Sequence, residues 1–145
     1  MKKLMILTLL SISLSGFAQK IKLIEGDLKP LKGQTSIDIE LTYDNLRVGK
    51  FEKEKDYIEQ KKADYNTKEA GKGDKWAAAW EDDKVARYKP RFTEMFTESM
   101  KMTKKAESTY TIIFNTTFIE PGFNVGVMRK NAYINGDAII VEINS

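Results

Sequence analysis

The sequence predicts an α+β domain: a largely antiparallel β-sheet of about four or five strands with two or three central helices packed on one face. Three observations predict it. Runs with a period of two flank the middle of the chain. Between them lies a stretch dense in Glu and Lys, followed by aromatics at multiples of four residues. Pro-Gly and Asn-Gly dipeptides then punctuate the last β-rich runs.

The chain opens MKKLMILTLLSISLSGFAQK. Lys2 and Lys3 give a positive end, Leu4 to Leu14 a short apolar run softened by serines, and Gly16 and Ala18 the small residues before a cut. This is the layout of a secretory signal peptide cleaved between Ala18 and Gln19. The apolar run is too short to span hydrocarbon comfortably, so a membrane anchor fits less well. No Cys follows it, which excludes lipid attachment by the bacterial lipoprotein route. The expectation is therefore a signal peptide over 1–18 and a single domain over 19–145, exported to the periplasm or beyond the cell. No later segment reads as transmembrane.

Loss of Lys2 and Lys3 takes the formal charge from +3 to +1. Such a near-neutral mixture of Lys and Glu argues against a nucleic-acid binder, which would concentrate its basic residues. A domain of this length buries a core without disulfide staples, and the chain has no Cys to make them.

QTSIDIELTY (34–43) alternates, with Thr35, Ile37, Ile39, Leu41 and Tyr43 on one face and Ser36, Asp38, Glu40 and Thr42 on the other. It reads as a half-buried strand. IKLI (21–24) reads as a short edge strand before it, and LRVG ends the β region near Gly49. A surface helix is expected from Glu52 to Lys68, closed by Gly71 and Gly73. Asp74 reads as the N-cap of the next helix, KWAAAWEDDKVARYK, and Pro90 either kinks it or starts another, RFTEMFTESMKM. Trp76, Trp80, Tyr88, Phe92, Phe96 and Met100 form one row along this helical stretch.

STYTIIFNTTFIE (108–120) is the strongest β signal, with Tyr110, Ile112, Phe114, Thr116 and Phe118 on one face. GFNVGVMRK (122–130) and DAIIVEI (137–143) read as two further strands, with a bulge at Gly126 and a hairpin turn at Asn135-Gly136. The glycines of EPGFNVGVMRKNAYINGD lead into no helix, so they read as β joints rather than a phosphate cradle.

The chain contains no His and no Cys. That removes Ser-His-Asp triads, imidazole acid–base pairs, thiol chemistry and nearly all zinc sites. Glu81, Asp82 and Asp83 are consecutive and would fan around a helix, which reads as a solvated face rather than a cation site. Asp38 and Glu40 share a strand face, the only spacing that suggests a carboxylate-based hydrolase. Trp76 and Trp80, one turn apart, read first as core and second as a glycan- or lipid-binding aromatic surface. Arg129, Lys130 and Asn131 read as a small polar tip that would meet a partner.

On GFAQK, KGQTSIDIELTYDNLRVGK, GKGDKWAAAWEDDKVARYKPRF and IEPGFNVGVMRKNAYIN, the chain resembles a family of uncharacterised exported proteins of Bacteroidetes-type bacteria. The resemblance implies a Gram-negative envelope location and a sheet shorter at its C-terminus than its kin. It supplies no activity and no catalytic residue.

The expected function is a non-enzymatic protein-interaction module. Its partner, an envelope protein or a second copy, would add a strand to the last strand, at Ile139 and Val141. The alternatives are the glycan- or lipid-binding surface at Trp76 and Trp80, and the hydrolase at Asp38 and Glu40. No cofactor, metal or catalytic residue is expected.

Overall fold

The structure, a computed structural model, describes residues 22–143. The expected signal peptide, its Ala18–Gln19 junction and Ile21 of the expected first edge strand lie outside them. Residues 22–24 form no strand, and Leu23 and Ile24 are exposed.

A short 3₁₀ turn, Lys29–Leu31, leads into β1 (Ser36–Thr42), which buries Ile37 and Ile39 as its alternation predicts. A two-residue strand β2 (Arg47–Val48) follows, then α1 (Glu54–Lys68). The next helix runs unbroken through three segments: α2 (Lys72–Asp83), a π turn (Lys84–Tyr88) and α3 (Lys89–Met100). Pro90 sits at the start of α3. It has no N–H to give and its ring crowds the preceding turn, and a wider π turn at that point accommodates both. The helix therefore neither breaks nor restarts at Pro90.

Asp74 is not the N-cap of this helix. Gly71 occupies that place, and Asp74 instead bonds Lys62 and Asn66 across the α1–α2 joint, at 2.7 and 3.0 Å. The side-chain carbonyl of Asn66 accepts the Gly73 N–H at 2.7 Å, satisfying one of the free donors at the start of α2 from the preceding helix. Gly73 is buried there, and a Cβ on it would collide with the Lys62 carbonyl.

The sheet is completed by β3 (Thr103–Lys104), β4 (Tyr110–Glu120) and β7 (Tyr133–Glu142). β1 runs parallel to β3 on one side and to β4 on the other, and β2 runs parallel to β4 beyond the end of β1. Only β7 is antiparallel to β4. A separate hairpin pairs β5 (Phe123–Val125) with β6 (Met128–Lys130). The expectation of a largely antiparallel sheet is therefore corrected: most pairings of the main sheet are parallel. The physical reason lies in the helical middle, which is a crossover. It carries the chain back to the end where β1 began, so the strands on either side of it point the same way.

Other turn assignments change as well. Gly126 (φ 57°) turns the β5–β6 hairpin rather than bulging one strand, a conformation glycine adopts without the penalty a Cβ brings. Asn135-Gly136 is not a turn but lies within β7, with Gly136 opposite Thr116. The bulge is on β4, where the register shifts between Thr116 and Phe118. It exchanges the faces of the residues that follow. Ile119 enters the core, while Phe118 turns to the other side and meets Tyr133 (ring centroids 5.5 Å apart) and Arg47 (5.5 Å to the ring).

Both helices lie on one face of the sheet, over two buried clusters. Leu31, Ile37, Ile39, Met102 and Ile112 form one, beneath Phe92 and Phe96. Leu46, Val48, Tyr57 and Ile119 form the other, beneath Trp76 and Trp80. The π turn separates them, so the single row of aromatics read from the sequence serves two clusters. The opposite sheet face carries Asp38, Glu40, Ile113, Ile139 and Val141 by alternation and register.

Candidate functional site

The two edges of the main sheet differ sharply. One is formed by β3, two residues long beside Ser36 and Ile37, and by β1 itself beyond them; Lys104 of β3 pairs with Asp38 at 3.1 Å. Short strands and lysines are the usual protection against unwanted pairing. The other edge is β7, ten residues long and without Lys, Arg or Pro. The Ile143 N–H donates to the Thr109 carbonyl at 2.8 Å. Since backbone groups alternate along a strand, Ile143, Val141, Ile139 and Asp137 bond β4, while Glu142, Ile140, Ala138, Gly136 and Ile134 turn their N–H and C=O outward. Among the described residues no strand pairs with that outer edge.

Beside it, the open face carries an apolar patch. Ile139 lies opposite Ile113, and Ile139 and Ile143 are 57% and 52% exposed. The expected partner residues Ile139 and Val141 therefore sit on one face of an edge strand, next to five residues with free backbone groups. The strand itself was legible over 137–143, though it begins four residues earlier, at Tyr133. Its position at an edge is what the expected strand addition required.

Arg129, Lys130 and Asn131 are at and just beyond β6, and they do not form one polar tip. Lys130 is bound to Glu120 at 2.5 Å, and the Glu120 carboxylate also accepts the Gly122 N–H at 3.1 Å. The hydrogen bond from Lys130 holds the Glu120 carboxyl below its ordinary value, against the opposing effect of burial. Arg129 and Asn131 line a shallow recess with Ala132 and Tyr133. The hairpin tip itself is apolar, with Val125, Val127 and Met128 exposed.

Trp76 and Trp80 face the core. Their rings meet Tyr57 at 5.8 and 5.2 Å, and the Trp80 indole N–H donates to Glu54 at 2.6 Å. Glu54 also binds Lys84 at 2.8 Å, and Lys84 reaches Glu81 at 2.9 Å. Half-buried and packed in this way, the two indoles present no open stacking platform.

Asp38 and Glu40 share the open face, but they do not converge on a cleft. Burial works against the Asp38 carboxylate, yet the Ile39 N–H (2.8 Å) and Lys104 outweigh it and hold its pKa below the ordinary value. A glycosidic general acid needs the opposite shift. Asn115 is engaged internally, its side-chain carbonyl accepting from Thr42 at 3.1 Å and from the Asp44 N–H at 2.8 Å.

Sequence reasoning missed a partly open recess of about 130 Å³ on the helix side of the sheet, between the two clusters. Leu41, Phe114 and Ile119 floor it, and Tyr88 and Phe92 of the helix wall it. Tyr43 lines it too, and its hydroxyl is the one buried side-chain polar atom among the described residues with no hydrogen-bond partner. Burial pushes that hydroxyl's pKa up, and the nearby Lys84 charge opposes this only in part. No sequence signal marks the recess, because its walls come from four separate elements.

Among the described residues no three carboxylates gather to hold a metal ion, and no helix is long and apolar enough to cross a membrane. The chain matches no protein-family model, no curated protein and no solved structure.

Proposed function

We propose that this chain is a non-enzymatic, exported interaction module that captures a protein strand on the outer edge of β7. One observation carries the reading: a ten-residue edge strand without Lys, Arg or Pro, beside an apolar patch of the open face. Backbone hydrogen bonds from the even-numbered residues 134–142 would supply affinity. Ile139, Val141 and Ile143 would supply selectivity for a strand with alternate apolar side chains. The N-terminal pattern supports an envelope location for the encounter, as does the resemblance to exported proteins.

The test is photo-crosslinking in the host envelope with a photoreactive residue at Ile139, and at Lys104 as the opposite-edge control. The expected result is a crosslinked polypeptide at 139 but not at 104, abolished by Ala138→Pro. Absence of any product at 139, or a product that survives Ala138→Pro, would overturn the reading.

A further inference from the structure

We propose that the β5–β6 hairpin is a wedge that enters the surface of an anionic lipid bilayer, apolar tip first. This does not rest on the strand-edge reading, which concerns β7.

The tip departs from what a hairpin turn usually carries. Its two central residues are Gly126 and Val127, and Gly126 takes the positive φ (57°) that such a turn needs. Polar residues ordinarily fill the remaining place, because no part of a hairpin is more open to water. Here it holds Val127, fully exposed, between Val125 and Met128, which are 65% and 63% exposed. Val125 and Met128 are a cross-strand pair, and Phe123, half exposed, lies on the same face by alternation. The result is an apolar strip that runs to the end of the hairpin.

The base of the hairpin is fixed. Lys130 and the Gly122 N–H both bond the Glu120 carboxylate. Gly122 (φ 68°) sits so close to the returning strand that a Cβ on it would lie 2.7 Å from the Lys130 carbonyl and the Ala132 nitrogen. A clamped pair of strands therefore presents the tip to its surroundings.

Charge points to anionic lipid as the occupant. Residues 121–136 contain no Asp or Glu, so no carboxylate opposes approach to a negative surface. Lys130 balances Glu120 at the base, and Arg129 supplies the net positive charge of residues 120–136. Arg129 is paired with Asn124, one step behind Val125 and Met128. A guanidinium there meets lipid phosphate once the tip has passed into the acyl boundary. Tyr133, half exposed at the start of β7, takes the place of an interfacial aromatic. A convex aliphatic tip needs no matching pocket in a bilayer, whereas a protein partner would have to supply one.

The test uses the full chain with one environment-sensitive fluorophore, at Val127→Cys or, as control, at Val85→Cys, an exposed apolar position on the π turn. The chain has no other Cys to take the label. Each sample is titrated with vesicles of phosphatidylcholine alone, and of phosphatidylcholine with an equal part of phosphatidylglycerol. The expected result is a blue shift at 127 and none at 85, with tighter binding to the anionic vesicles. Arg129→Gln is expected to weaken binding to the anionic vesicles about fivefold, the ~1 kcal/mol of one basic residue at such a surface, and to leave the neutral vesicles unaffected. Met128→Asp, a change at an exposed position, is expected to abolish the shift at 127. The proposal is overturned if the label at 127 stays in water with both vesicles, as it would if residues 4–14 alone held the chain to lipid. It is equally overturned if the two labels shift alike, if neutral vesicles bind as tightly as anionic ones, or if the shift survives Met128→Asp. A shift at 127 produced only by lipid-free envelope protein would assign the tip to a protein and overturn it too.

Discussion

Glu54 takes one hydrogen bond from the Trp80 indole and another from the Lys84 ammonium, and so ties α1 to the long helix. Both charged side chains are largely shielded, at 13% and 17% exposure, so neither tolerates loss of its partner. Glu54→Ala is expected to cost about 2–3 kcal/mol in urea unfolding, whereas Glu54→Leu combined with Lys84→Met should recover much of it, because an apolar pair carries no unpaired charge. Burial lowers the Lys84 pKa, but its bonds to Glu54 and Glu81 outweigh this and leave it raised above 10.5. The stability it adds is thus complete below pH 10.5 and lost as pH climbs through the higher folded value, which a urea midpoint followed into alkali would show. Glu120 works in the other direction. Its folded pKa is held below 4.5, so its contribution is present above that pH and disappears as pH falls through the lower folded value. Lys130→Met should move the Glu120 carboxyl back toward 4.5 in an NMR pH titration. None of these pairings was legible in the sequence. Glu54 and Trp80 are 26 residues apart, and nothing in a Glu/Lys-rich helix distinguishes the one acid that turns inward.

Single positions decide how whole elements sit. Gly136 looks like turn chemistry in the dipeptide Asn-Gly, yet it serves close packing. Gly136→Ala would place a methyl 2.6 Å from both the Asn115 carbonyl and Phe114, and should cost about 1–3 kcal/mol in chemical denaturation. Strand β7 allows a sharper test of direction. Ala138→Pro removes an outward N–H that bonds nothing within the described residues, and should cost about 1 kcal/mol or less. Ile139→Pro removes an N–H that bonds β4, and should cost about 3 kcal/mol or more. Equal costs for the two would contradict the assigned edge. The strong β signal of residues 108–120 and the burial of Ile37 and Ile39 were legible, because alternation reports which face is covered. Alternation says nothing about the direction of the neighbouring strand, so the parallel pairing of β1 with β4 was not. Nor does it reveal a bulge, and the β4 bulge moved Phe118 out of the core and Ile119 into it.

At the scale of the molecule, the order of elements was readable as α+β with its helices in the middle, whereas the asymmetry between the sheet's two edges appeared only in three dimensions. That asymmetry has a direct signature in hydrogen exchange. Amides of residues 137, 139 and 141 should be protected in the free protein, while those of 138, 140 and 142 exchange quickly and become protected only when a strand is captured. The crossover that makes β1 and β4 parallel also shapes how the chain reaches its final form. β4 and β7 are close in sequence and can zip together early. β1 must find β4 across 73 residues, after the helices that span the gap have formed. Until it arrives, the β4–β7 pair is bare along both sides. Refolding yield should therefore fall as protein concentration rises, with losses concentrated in the interval before the first strand of the sheet takes its place beside the fourth.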